Sequence, residues 1–116
     1  MVSFLQIPSA LKALSSVEDL KRRLDWGEPA LTIVDVRDRA QFNQLHIQGA
    51  VSVPAAELLV GLASLEAERD IYIYADTDAA AAQAVEMLSA AGYKSVAQLL
   101  GGLEDWKAAG YPVEAA

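Results

Sequence analysis

The sequence contains no cysteine, one histidine and fewer basic than acidic residues. Without cysteine the chain can form no disulfide, no thiolate metal site and no cysteine nucleophile. Its 9 basic and 16 acidic residues give a net charge of −7, which argues against nucleic acid and anionic membranes as partners. No apolar run approaches the roughly 18–20 residues of a membrane span, and no basic residue precedes the first apolar residues as in a secretory signal. We therefore expect a soluble, cytoplasmic protein.

The composition and the order of apolar segments indicate one compact α/β domain. A chain of 116 residues, 53% of them hydrophobic, is long enough to bury a core without a metal or disulfide. Ser16 and Asp19 are spaced like a capping box at the start of a helix that ends at Gly27. Strands alternating with helices predict a mainly parallel sheet covered on both faces. Strands are predicted at 31–34, 51–53, 71–74 and 95–99. Further helices are predicted at 39–44, 56–65, 79–91 and 103–109, and a turn is predicted at 46–49.

The most informative segment is a loop between the apolar strand at 71–74 and an alanine-rich helix. A strand that leads into a helix N-terminus forms a good anion site, because unpaired backbone N–H groups and the helix dipole converge there. Enzymes often place a reactive thiolate in such a site. This loop offers two carboxylates and one hydroxyl instead. Its residues are Ala75, Asp76, Thr77, Asp78, Ala79 and Ala80.

Three separated motifs resemble those of the rhodanese homology domain. DVRDRAQF at 35–42 is similar to the family element D-V-R-x-x-x-E-F, and HIQGAVSVP at 46–54 is similar to H-I-P-G-A-x-N-I-P. GGLEDWKAAGYPV at 101–113 resembles G-G-x-x-x-W-x-x-x-G-x-P-V. The resemblance implies an α/β domain over 16–113, with about five mainly parallel strands flanked by helices. We expect residues 1–15 to pack on or beside this domain, as an edge strand, a cover of the sheet or a partner contact.

The resemblance also implies an activity, which this sequence departs from. The family transfers sulfur from thiosulfate or a similar donor through a cysteine persulfide. The family register places that cysteine at Ala75, the anion-binding arginine at Ala80 and a loop glycine at Asp78. Alanine has no atom that can attack or leave. We therefore expect an inactive variant that needs no cofactor and acts as a binding or regulatory module for a protein partner.

The polar loop residues allow other interpretations. Asp78 is expected to cap the helix that begins near Ala79, and an aspartate at a former glycine is compatible with positive φ. Asp76 and Asp78 could instead bind a cation or a basic partner, although two carboxylates alone are weak evidence for a metal site. A non-sulfur enzyme could use these carboxylates to activate Thr77.

Three residues outside the loop complete the candidate site, and we expect each to be structural. Asp35 is predicted to hold neighbouring backbone N–H groups while Arg37 braces a loop, although Asp35 could act in acid–base chemistry. The resemblance places Gln41 where an acidic partner of Arg37 is expected. His46 is the only histidine and falls in the predicted turn, so a structural role is favoured over catalysis. A last alternative is a sulfur-trafficking accessory that holds the cysteine persulfide of a partner.

Overall fold

A computed structural model of the chain describes residues 11–27 and 30–116. The prediction for residues 1–10 lies outside this range and stays a prediction. Residues Leu14–Ser15, at the end of the predicted N-terminal segment, form an edge strand of the sheet. The elements in chain order are β1 (Leu14–Ser15), α1 (Val17–Trp26), β2 (Leu31–Asp35), α2 (Arg39–Gln44), β3 (His46–Ile47), β4 (Val51–Ser52), a 3₁₀ turn (Ala55–Glu57), α3 (Leu58–Gly61), β5 (Asp70–Tyr74), α4 (Asp78–Ala90), β6 (Val96–Leu99), α5 (Gly102–Ala108) and β7 (Val113–Glu114).

Five strands form a parallel sheet in the order β1-β6-β5-β2-β4. The central pair is the most extensive, with Leu31 opposite Asp70 at one end and Asp35 opposite Tyr74 at the other. Because all five strands run the same way, their carboxyl ends meet at one edge of the sheet. The predicted α/β architecture with a five-stranded parallel sheet is confirmed.

Side chains alternate between the two faces of the sheet, and each face carries its own core. On β5, Tyr72 and Tyr74 face one core while Ile71 and Ile73 face the other. Helices α1 and α5 cover the first face, and α3 and α4 cover the second. The α5 anchors are Leu103 and Trp106, the latter only 1% exposed. No helix within 11–27 and 30–116 has the length and apolar character needed to cross a membrane.

The predicted capping box at the start of α1 is present. Ser16 accepts a hydrogen bond from the Asp19 backbone N–H at 3.0 Å, and the Asp19 carboxylate accepts one from the Ser16 N–H at 2.9 Å. These bonds satisfy backbone donors that the helix itself leaves unpaired, and they lower the pKa of Asp19. Gly27 ends the helix in the left-handed conformation at φ 88°.

One local prediction is wrong and a second is wrong in part. The helix predicted over 56–65 is a 3₁₀ turn followed by the single turn of α3, because Gly61 has low helix propensity and packs closely on Val53. The turn predicted at 46–49 is present only at 48–49, and its first two residues form a strand, β3, which pairs antiparallel with β7. This pairing is a contact between distant parts of the chain, so local sequence carries no signal for it.

A buried ion pair lies at the carboxyl end of β2, next to the last residue of β5. Asp35 is fully buried and accepts bonds from the Arg37 guanidinium at 2.7 and 3.0 Å and from the Arg37 backbone N–H at 2.9 Å. Arg37 also donates to the carbonyl of Leu45 at 2.7 Å and lies over the Tyr74 ring. The Tyr74 hydroxyl accepts from the Ile47 N–H at 3.2 Å. The network therefore connects both central strands to the α2–β3 segment.

We predict that Arg37→Met lowers the free energy of unfolding by about 3 kcal/mol, because it leaves a buried carboxylate without its cation. Arg39→Met is the matched control, since Arg39 forms a pair of two hydrogen bonds with Glu57, each 3.0 Å long, on the exposed surface. Urea titrations of both variants should show a large loss for Arg37→Met and little change for Arg39→Met. Equal losses would contradict the assignment of Arg37 as the residue that neutralises Asp35.

Candidate functional site

The predicted loop lies at the carboxyl edge of the sheet, as expected. Ala75 follows the last residue of β5, and α4 begins three residues later at Asp78. The segment after β2 lies alongside, because the Val36 N–H donates to the carbonyl of Tyr74 at 3.1 Å. The structure thus brings Ala75 together with Arg37, two residues that are far apart in sequence.

A pocket of about 170 Å³ opens between this loop and the neighbouring elements. Ala75 and Ala80, the positions that the resemblance assigns to a nucleophile and an arginine, both line it. Apolar groups dominate the lining, so the pocket is a hydrophobic depression. It contains no thiol, because the sequence has no cysteine. The full lining is Val36, Arg37, Ala55, Ala75, Asp76, Ala80, Gln83, Ala84 and Met87.

The cap of α4 is Thr77, and the prediction that Asp78 caps it is wrong. Thr77 has extended backbone angles, and its hydroxyl accepts from the Ala80 N–H at 3.1 Å. Asp78 is already helical and lies in the first turn, where the helix dipole favours a carboxylate. Among residues 11–27 and 30–116, positive φ is confined to glycines, so Asp78 does not adopt the conformation of a loop glycine.

Asp78 connects the start of α4 to the start of α5. Its carboxylate accepts a hydrogen bond from the Gly101 N–H at 3.0 Å, and its carbonyl accepts one from Gln98 at 3.0 Å. Gly102, at the start of α5, packs closely against Ala75, since a Cβ added at Gly102 would lie 3.3 Å from the carbonyl oxygen of Ala75. The Asp78 side chain is therefore engaged in holding the loop against the next element.

Sequence analysis missed the role of Gln41. The resemblance suggested that Gln41 replaces an acidic partner of Arg37, but Arg37 pairs with Asp35. Gln41 instead donates from its amide nitrogen to the Asp76 carboxylate at 2.8 Å. A neutral amide leaves the charge of Asp76 uncompensated, whereas an acidic residue would repel it. The sequence signal for the contact with Asp76 was the amide at position 41, where the family resemblance expects a carboxylate.

The buried groups beside the loop are not arranged for acid–base chemistry. The hydrogen bond with Asp35 raises the pKa of Arg37, so this guanidinium stays charged and is already paired. Burial raises the pKa of Tyr74, and its bond to Asp35 raises it further. Tyr74 was not recognised as a site residue from sequence, where it read only as an apolar strand position. Asp35, Arg37 and Tyr74 therefore form a structural network under the loop.

His46 lies outside the pocket and has local partners. Its ring stacks on Phe42 with centroids 3.7 Å apart, and Nδ1 donates to the Phe42 carbonyl at 2.7 Å. Nε2 lies 3.5 Å from Glu114 on the paired strand β7. The structural role of His46 stays a prediction, which these contacts support. In the described part of the chain, no three His, Cys, Asp or Glu side chains are grouped as metal ligands would be.

Curated proteins of two kinds are similar to this chain. The HTH-type transcriptional regulator Rv0324 of Mycobacterium tuberculosis is 38% identical over 114 residues, which cover 91% of this chain and 49% of the regulator. A sulfurtransferase of Allochromatium vinosum is 33% identical over 98 residues, which cover 84% of this chain and 91% of that protein. The chain spans half or less of the length of several curated relatives, the regulator among them.

Solved structures and family comparison agree with the fold. The crystal structure of the Alr3790 protein from Anabaena matches with a TM-score of 0.85 and 49% identity, covering 87% of this chain and 80% of that one. The model of the rhodanese-like domain family matches residues 16–109. Together with the sheet order and the position of the loop, this match shows that the chain belongs to the rhodanese-like domain family and has sulfurtransferases among its homologues.

Proposed function

We propose that this rhodanese-like domain acts as a binding or regulatory module and does not transfer sulfur. The observation that carries the proposal is Ala75 at the end of β5, in the wall of the pocket, where the family has its nucleophile. A methyl group can neither attack a sulfur donor nor carry a sulfane sulfur. No other residue can substitute for it, since the sequence contains no cysteine.

The charges around the pocket also oppose an anionic sulfur donor. Ala80 replaces the arginine that would bind the anion, and the remaining guanidinium of Arg37 is neutralised by Asp35. Asp76 lies in the pocket wall as a carboxylate that accepts a hydrogen bond from the neutral amide of Gln41. A carboxylate about 5–6 Å from a bound anion opposes it by roughly 1–3 kcal/mol at effective dielectrics of 20–60.

A regulatory role is supported by the relative from Mycobacterium tuberculosis. Most of this chain aligns with a protein that is named as a transcriptional regulator, so a domain of this kind occurs outside dedicated sulfurtransferases. A binding module of this type needs no cofactor, and its partner is a protein in the cytoplasm. The surface formed by the loop at 75–80 is acidic, which suits basic groups on that partner.

The alternative of a non-sulfur enzyme is less well supported by the geometry. Such an enzyme needs Thr77 free for activation by Asp76 or Asp78, but each of these three side chains already accepts a hydrogen bond from another residue. The alternative of a sulfur-trafficking accessory keeps the pocket as a receptor for a partner's cysteine persulfide. The same carboxylate that opposes thiosulfate also opposes that anionic group.

We predict no cyanide-dependent formation of thiocyanate from thiosulfate above the buffer rate. The physical reason is the missing nucleophile at position 75. The assay should include an active sulfurtransferase as a positive control and this protein at comparable concentration. Turnover that rises in proportion to the concentration of this protein would overturn the proposal.

We also predict that Ala75→Cys combined with Ala80→Arg creates a loop that accepts sulfur from thiosulfate, because the supporting network under the loop is intact. Intact-mass analysis should detect one added sulfur atom on the double variant. Ala79→Cys combined with Ala80→Arg is the matched control, since it places the thiol four residues later in α4. Equal labelling of both variants would show that a thiol alone, without the loop geometry, explains the reaction.

A further inference from the structure

The pocket extends away from the loop, along a face of α4. Its far wall consists of Ala84 and Met87 on α4 and Ala55 on the 3₁₀ turn. Its volume of about 170 Å³ is close to that of the cavity of about 150 Å³ that holds benzene in an engineered apolar core. The pocket is therefore large enough for one leucine-sized or phenylalanine-sized side chain.

Exposed apolar side chains lie beside this pocket. Met87 in its wall is 42% exposed, and α3, which packs against α4, carries Leu59 at 45% and Val60 at 84% exposure. Exposed leucine, valine and methionine side chains therefore lie on two helices that pack against each other, and the methionine also lines the pocket. Such a combination is typical of a binding site for a protein segment.

The charges around the pocket specify the partner. Asp76 lies in its wall. Glu86 follows the lining residue Gln83 by three positions on α4, so the Glu86 and Gln83 side chains are neighbours on the surface of that helix. Neither carboxylate has an ion-pair partner among the described residues. The nearby cations, Arg37 and Arg39, are each paired with a carboxylate. The mouth of the pocket therefore has an excess of negative charge.

From these observations we infer that the pocket binds a basic peptide segment of a partner protein, with one apolar anchor side chain inserted between α4 and the 3₁₀ turn. Lysine or arginine residues on both sides of the anchor then approach Asp76 and Glu86. This inference rests on the proposed function, since it assigns a ligand to the site that no longer carries a nucleophile. An acidic segment is disfavoured by the same two carboxylates.

The two contributions to binding are separable. Burial of the anchor supplies the larger part of the affinity, because transfer of a leucine side chain from water is the dominant favourable step. The exposed charge pairs contribute less and are screened by salt. They determine which segments are accepted. The proposal therefore requires both the apolar anchor and the basic flanks.

The test uses three fluorescein-labelled peptides and the unmodified chain. The first probe is acetyl-Gly-Lys-Arg-Leu-Lys-Arg-Gly-amide, the second has serine in place of leucine, and the third has glutamate in place of each basic residue. We expect saturable binding of the first probe with a dissociation constant below about 1 mM. The serine probe should bind at least about tenfold more weakly, and the acidic probe should not bind.

Two variants and one control locate the site. Ala80→Phe fills the pocket with a side chain of the chain itself and should abolish binding of the leucine probe. Asp76→Asn combined with Glu86→Gln should weaken it roughly three- to tenfold at low salt. Glu66→Gln, before β5 at the opposite end of the strands, removes an exposed charge far from the pocket and should leave binding unchanged. Amide shifts of the unmodified chain should change at 75–87, which tests the location without any variant.

Specific outcomes would overturn the inference. These are equal binding of the leucine and serine probes, binding of the acidic probe, amide shifts confined to other regions, or no binding of the leucine probe at about 1 mM. The thiocyanate assay is run on the same preparation. Turnover there would overturn the proposed absence of sulfur transfer, whereas absence of both turnover and peptide binding would overturn the peptide site alone.

Discussion

The shape of the carboxyl edge depends on the buried ion pair between Asp35 and Arg37. A fully buried carboxylate is tolerated only because the guanidinium and a backbone N–H satisfy it. Arg37 also donates to the Leu45 carbonyl and lies over the Tyr74 ring, and the Val36 N–H donates to the Tyr74 carbonyl, so the end of β2 is tied to the end of β5. The loop begins directly after this contact, and none of these bonds involves a loop side chain.

The loop side chains have structural partners in place of catalytic ones. Thr77 caps α4, Asp78 binds the start of α5 and Asp76 accepts from Gln41. Each contact stabilises the loop without using a thiol or an arginine. The scaffold of a sulfurtransferase homologue can therefore persist without the groups that perform its chemistry, and the apolar pocket that remains is available for recognition.

The sequence predicted those features that depend on local patterns. The capping box of Ser16, the α2 bounds and the central strand β5 follow from propensity, spacing and hydrophobicity. The short strand β3 and the Gln41 bond to Asp76 depend on contacts between distant segments, which one sequence does not reveal. The cap of α4 was misassigned by one residue because Thr77 and Asp78 have similar capping ability, and only the backbone angles distinguish them.

We infer that the inherited pocket cannot accept sulfur. Intact-protein mass spectrometry after incubation of the unmodified chain with thiosulfate tests this inference, since it detects bound sulfur even without turnover. We expect an unchanged mass. A stable gain of one sulfur atom, mapped by fragmentation to residues 75–80, would contradict it.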